Sequence, residues 1–163
     1  MKIPFALIFL FSVLGIGQAK AQASEAVFSV ETLDYTTNKR MGGTYVYVYN
    51  DEKLLTQLVT DSLGKVSVNL QMGSKYKVVV GGEGKVDRFF YVDLKKVKKQ
   101  KFQLSGRCAV RLFDAKPETD YSFIFENPIT RFYFQAPEPE LRFEMQPATK
   151  MAMEIERILK EQE

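Results

Sequence analysis

Between residues 26 and 112, apolar and polar side chains alternate in short runs, most of them ending at glycine, asparagine or aspartate. Alternation with period two marks half-buried β-strands, and such closely spaced turns mark a sandwich or barrel rather than strands separated by helices. Seven strands are predicted, at residues 26–33, 44–50, 54–60, 65–70, 75–80, 86–94 and 102–112. The last is the most regular: Phe102, Leu104, Gly106, Cys108, Val110 and Leu112 share one face, which places this strand at the centre of the core.

The second strand raises a question of orientation. Tyr45, Tyr47 and Tyr49 share one face, while Val46 and Val48 share the other. Either the valines enter the core and the tyrosines pack half exposed across neighbouring strands, or the tyrosines form a stacking surface for sugar rings. The glycines in Gly81-Gly82-Glu83-Gly84 read as loop residues that accept positive φ, since a strand follows them and a phosphate-cradling loop opens a helix. Residues 95–101 hold five lysines, Lys95, Lys96, Lys98, Lys99 and Lys101. They form either a solvated connection or a cationic patch for an anionic polysaccharide, lipid headgroups or an acidic partner.

Beyond Phe113 the pattern changes. Pro128, Pro137 and Pro139 exclude long regular strands, so residues 114–163 are expected as a C-terminal extension of short pieces wrapping the domain at 24–113. Its end is helical: Ala148, Met151, Ala152, Ile155, Ile158 and Leu159 recur at helical spacing over 147–160, Pro147 suits the first turn, and Glu156 with Lys160 makes an i,i+4 pair. Its polar face mixes charge signs, which suits docking on its own domain better than lying on a membrane.

The other apolar stretch is N-terminal. Lys2 precedes a run from Ile3 to Ile16 broken only by Ser12, followed by the small-residue sites Ala19-Lys20-Ala21 and Ala21-Gln22-Ala23. This is the layout of a cleavable secretory signal over residues 1–23, cut after Ala21 or Ala23. It falls short of the roughly 20 apolar residues of a transmembrane helix. An exported product is expected, periplasmic or outer-membrane-associated or secreted, and no cysteine near either site suggests lipid attachment. Removing Lys2 and Lys20 with this segment leaves 21 basic and 20 acidic residues, a net charge of +1, so the basicity of the full chain is no argument for nucleic acid.

Candidate chemistry is sparse. The chain contains no histidine, which removes the commonest general base and the histidine-dependent triads and zinc sites. Cys108 is the single cysteine and sits in an apolar strand, as a buried small hydrophobe would. A carboxylate-dependent hydrolase would have to use Asp114 with Asp120, or Glu138 with Glu140. No calcium-loop spacing occurs, and no catalytic residue, cofactor or metal is predicted. A carbohydrate-binding or adhesive surface would rest on Tyr45, Tyr47, Tyr49, Phe89 and Tyr91 with the lysine loop, there being no tryptophan.

Thr60-Asp61-Ser62-Leu63-Gly64-Lys65-Val66-Ser67-Val68, followed by Gly73-Ser74-Lys75-Tyr76-Lys77-Val78, resembles the carboxypeptidase-regulatory-like domains. Phe113, Asp120-Tyr121-Ser122-Phe123 and Glu126-Asn127-Pro128-Ile129-Thr130-Arg131-Phe132-Tyr133-Phe134 resemble the ending of small Bacteroidota envelope proteins. These resemblances imply a transthyretin-like or Ig-like seven-stranded sandwich with Tyr76 in its core. They also imply a non-catalytic module binding a larger envelope protein or a surface polysaccharide. Tyr45, Tyr47, Tyr49, Lys95, Lys96, Lys98 and Lys99 are the candidate interaction residues.

Overall fold

The structure, a computed structural model, describes residues 23–161, so the predicted export signal lies outside the described residues except for Ala23. In chain order the elements are β1 (Glu25–Asp34), β2 (Tyr45–Asn50), β3 (Lys53–Val59), β4 (Lys65–Gln71), β5 (Lys75–Gly81), β6 (Arg88–Asp93), β7 (Leu104–Leu112), α1 (Ser122–Glu126), β8 (Arg131–Tyr133), β9 (Arg142–Phe143) and α2 (Met145–Glu161). They build a mainly β sandwich of the expected class. A small sheet runs β4-β1-β7 and a large one β3-β2-β5-β6-β8-β9. The seven predicted strands are β1–β7, and two short strands from the extension complete the large sheet.

Alternation explains which residues meet between the sheets. Ala26, Phe28 and Val30 of β1, Val46 and Val48 of β2, Val78 and Val80 of β5, and Cys108 and Val110 of β7 are all buried in one cluster. The Thr-Asp-x-x-Gly turn between β3 and β4 is fixed by Asp61, whose side-chain oxygen accepts from the backbone N–H of Leu63 (2.9 Å) and Lys65 (2.8 Å). Gly64 closes that turn at φ +70°, and a Cβ there would lie 2.7 Å from the Thr32 carbonyl oxygen. Positive φ and this close approach together require glycine. Tyr76 is buried, with its hydroxyl donating to the Gln71 carbonyl at 2.9 Å.

The extension is more than a wrapping. β8 pairs in parallel with β6, and Phe132 enters the main core, its ring 4.8 Å from Phe28 and 5.6 Å from Phe90. The prolines limit β8 and β9 to three and two residues without preventing this pairing. A second cluster joins Met151, Ile155 and Ile158 of α2 to Val86, Phe113, Tyr121 and Ile124. Pro147 falls in the first turn of α2, where the missing N–H costs no helical bond.

Several expectations need correction. Phe102 is 37% exposed and precedes β7, which begins at Leu104. β6 starts at Arg88, two residues after the predicted start, because Lys85 leaves it to bridge Asp114 and Val86 donates to the Phe113 carbonyl. Gly81 belongs to β5 and is buried; a Cβ there would sit 2.5 Å from the Tyr45 ring, so its need is close approach rather than the positive φ seen at Gly84. On α2 no Glu156–Lys160 ion pair forms among the described residues; Arg157 bonds instead to Glu154 (2.5 Å) and Glu161 (2.6 Å).

Candidate functional site

The orientation of the tyrosine strand follows from its neighbours. Val46 and Val48 are fully buried, so Tyr45, Tyr47 and Tyr49 project from the outer face of the large sheet, each half-buried. The register sets Tyr47 beside Val79 and Val79 beside Phe89, while Tyr49 lies beside Lys77 and Lys77 beside Tyr91. Gln57 flanks Tyr47 on the edge strand β3, and Arg131 flanks Tyr91 on β8. The result is a band in which the aromatic residues of β2 and β6 flank Val79 and Lys77 of β5.

Two lysines on β5 lie over aromatic rings of β6: Lys75 Nζ is 4.5 Å from the Tyr91 ring centre and Lys77 Nζ is 4.3 Å from that of Phe89. Each ammonium is attracted to the negative ring face. The Tyr45 and Tyr47 rings are 5.0 Å apart, and Phe89 meets Tyr91 edge-on at 5.5 Å. The Tyr45 hydroxyl donates to Asp87 at 2.5 Å. Burial, and then that carboxylate, push its ionisation up to about 12. The hydroxyls of Tyr47 and Tyr49 make no hydrogen bond with another described residue, which leaves them free to bond a ligand. At the sheet edge, Leu54, Leu55 and Val59 of β3 extend the band with exposed aliphatic surface.

Lys95, Lys96, Lys98 and Lys99 are elsewhere, in the connection from β6 to β7 that crosses between the sheets. All four are exposed around Val97, which is buried and anchors the loop. Asp93 accepts the Lys95 backbone N–H at 3.0 Å, and Gln100 exchanges two backbone hydrogen bonds with Ala23. The lysines that meet the aromatics are therefore Lys75 and Lys77, which the sequence reading did not single out. Their signal was present: both alternate with buried Tyr76, and Phe89 and Tyr91 occupy the same outward parity on the next strand.

The groups a hydrolase would need are engaged or exposed. Asp114 and Asp34 both hold Lys85, at 2.7 and 3.3 Å. Asp120 accepts the Ser122 backbone N–H at 2.9 Å, which holds its carboxyl below the usual range. Glu138 and Glu140 do share one groove, but Glu138 is bound to Arg142 at 2.9 Å and both glutamates are exposed, without the desolvation that makes a general acid. Complete burial pushes the Cys108 thiol up to about 12, away from thiolate chemistry. Among the described residues no three Cys, Asp or Glu side chains come together to hold a metal, and no helix is long and apolar enough to cross a membrane.

No protein-family model matches the chain, and no curated protein matches it. Solved structures similar to it include the Bacillus anthracis TIE protein, at 16% identity over 56% of this chain and 17% of that one, with a TM-score of 0.46. The group B streptococcus pilus 2b backbone protein is similar at 10% identity over 56% of this chain and 42% of that one, TM-score 0.41. Klebsiella pneumoniae 5-hydroxyisourate hydrolase is similar at 16% identity over 56% of this chain and 99% of that one, TM-score 0.35. The chain thus spans less than half the length of the first two, and these similarities assign it no activity.

Proposed function

We propose that this chain is an exported, non-catalytic module of the cell envelope, periplasmic or outer-membrane-associated. On this reading it binds a larger protein or a surface polymer through the outer face of its large sheet. The observation that carries the reading is the band formed by Tyr47, Tyr49, Tyr91, Lys75 and Lys77 over the buried Phe89, with the exposed aliphatic residues of β3 beside it. Folding alone asks only for the inner face to be apolar. Aromatic side chains offer large, stiff contact area at low entropic cost, which is why they concentrate at binding surfaces. The engaged or exposed carboxylates and the buried thiol support a non-catalytic role. The lysine loop, at the crossing between sheets, is a secondary contact for anionic groups.

The test is chemical crosslinking in the native envelope followed by identification of the adduct. Replacing Tyr47 and Tyr49 together by Ser should abolish the adduct while the purified variant still unfolds cooperatively. An undiminished adduct would move the interaction to another surface. Purified protein on immobilised polysaccharides separates the carbohydrate-binding form of the proposal, which predicts retention lost in the same variant, from the protein-binding form, which predicts none. Export is tested by N-terminal sequencing of the mature protein, expected to begin at Gln22 or Ser24. Only the Gln22 start retains the Ala23–Gln100 bridge.

A further inference from the structure

One inner-face residue of the large sheet breaks its apolar pattern. Arg88 shares the inward parity of Phe90 and Val92, is paired with Val80 on β5, and is 4% exposed. Its Nη1 donates to the Arg111 carbonyl at 3.0 Å, whereas its buried Nε has no hydrogen-bond partner among the described residues. No Asp or Glu among them pairs with it. An unpaired guanidinium taken out of water is costly, and such groups persist where something compensates the charge. Burial alone pulls its ionisation down to about 10, still far above neutral pH, so the cation is retained.

Arg88 lines a cavity of about 380 Å³. The cavity opens where β7, an edge strand of the small sheet, is left without a neighbouring strand. Residues 139–141 bond to β7 at Ser105, and Val86 bonds just past its other end at Phe113. α2 covers the gap. Met151, Ile155 and Ala152 from the helix and Phe132 from β8 supply an apolar wall, while Arg107 and Arg111 add two further positive charges. No carboxylate lines the cavity among the described residues, and exposed Arg107 and Ala152 connect it to the surface.

A buried cation at one side and apolar walls at the other specify an amphipathic anion. We infer that this cavity binds a small carboxylate carrying an apolar chain or ring, with the carboxylate at Arg88 and the apolar portion against α2. A carboxylate accepts two parallel N–H bonds from a guanidinium, and Nε is a buried donor without a partner among the described residues. The volume lies within the range of small-molecule sites. This site is separate from the tyrosine face, on the other side of the large sheet, and does not depend on what that face binds.

The experiment is calorimetric titration of the full mature chain with decanoate below its micelle concentration, alongside decanol and acetate. Decanoate should bind at one site per chain, and decanol and acetate each at least about tenfold more weakly. Arg88→Met should lower decanoate affinity about tenfold or more while leaving decanol unchanged, and should keep or raise thermal stability, since a buried unpaired charge is replaced by a hydrophobe. Ala152→Trp, at an exposed position on the cavity wall, should block decanoate without unfolding the protein. Should Arg88→Met fail to fold, the ligand comparison and Ala152→Trp decide. Decanoate and decanol binding equally, no binding of decanoate, or full decanoate affinity in a folded Arg88→Met or Ala152→Trp would each overturn the inference. The Tyr47→Ser/Tyr49→Ser variant should bind decanoate normally, so failure at either surface is read independently.

Discussion

On the small sheet the solvent-facing positions of β4 are Lys65, Ser67 and Asn69, and those of β7 are Ser105, Arg107, Ala109 and Arg111. On the large sheet the equivalent positions of β2 are Tyr45, Tyr47 and Tyr49, and Tyr91 takes one on β6, where Phe89 shares the outward parity but is buried. Both faces lie outside the core, and both belong to strands whose inner side chains are apolar and buried. The requirement to fold is therefore met equally on the two sheets. What differs is how much apolar and aromatic surface each offers outward, and folding does not explain that difference. With period two, the inner face of a strand specifies the sandwich and leaves the outer face free to take another role, here the contact proposed above.

Substitutions on the two faces should differ widely in their effect. The largest effect should come from the inner face: Phe90→Ala, which empties space beside Phe28 and Phe132, should cost about 3–5 kcal/mol in denaturant-induced unfolding. Gly81→Ala should cost about 1–3 kcal/mol, because the new methyl displaces the Tyr45 ring and Asp87 and disturbs the outer face from within the sheet. Tyr45→Phe, which removes the hydroxyl bonded to Asp87, should cost about 1 kcal/mol or less. Replacing Lys95, Lys96, Lys98 and Lys99 by Gln should change unfolding by less than about 0.5 kcal/mol, as befits exposed side chains; a loss of cooperative unfolding would show that the loop is structural.

A pH titration adds a test away from both faces. The Thr37 backbone N–H, at 2.8 Å, holds the Asp34 carboxyl below its ordinary 3.8, with the Thr37 hydroxyl and Lys85 assisting. A lowered native pKa means that the unfolded chain binds the proton more tightly. The stability that Asp34 contributes is therefore present above about pH 3.8 and is lost as pH falls through the native value. Asp34→Asn should flatten the acid limb of stability against pH, measured by thermal unfolding from pH 5 to about 2.

Much of this was legible in the chain because period two is a local signal. β1–β5 and β7 lie where alternation puts them, and the half-buried tyrosines follow from the valines between them. The parallel pairing of β8 with β6 was not legible, since three residues bounded by prolines carry no periodicity and gain their place from Phe132 reaching the core. Phe102 was misplaced because alternation continues past the point where β7 stops pairing with β1. The contacts of Lys75 and Lys77 with the aromatic rings needed the β5–β6 register, which only the fold supplies. Arg88 was hidden for the opposite reason: a charged residue at the start of a strand reads as exposed, and only α2 and β8 closing over it make it buried.

On the function proposed above, the outer face of the large sheet is the contact surface. The direct measurement places a photocrosslinking amino acid at Gln57, beside Tyr47 on the large sheet, or at Ser67 on the outer face of the small sheet, in the protein expressed in its native envelope. Both positions are exposed, so neither should disturb the fold. A discrete adduct from position 57 and none from position 67 is the predicted result. An adduct from position 67 alone, equal adducts from both, or none from either would contradict it.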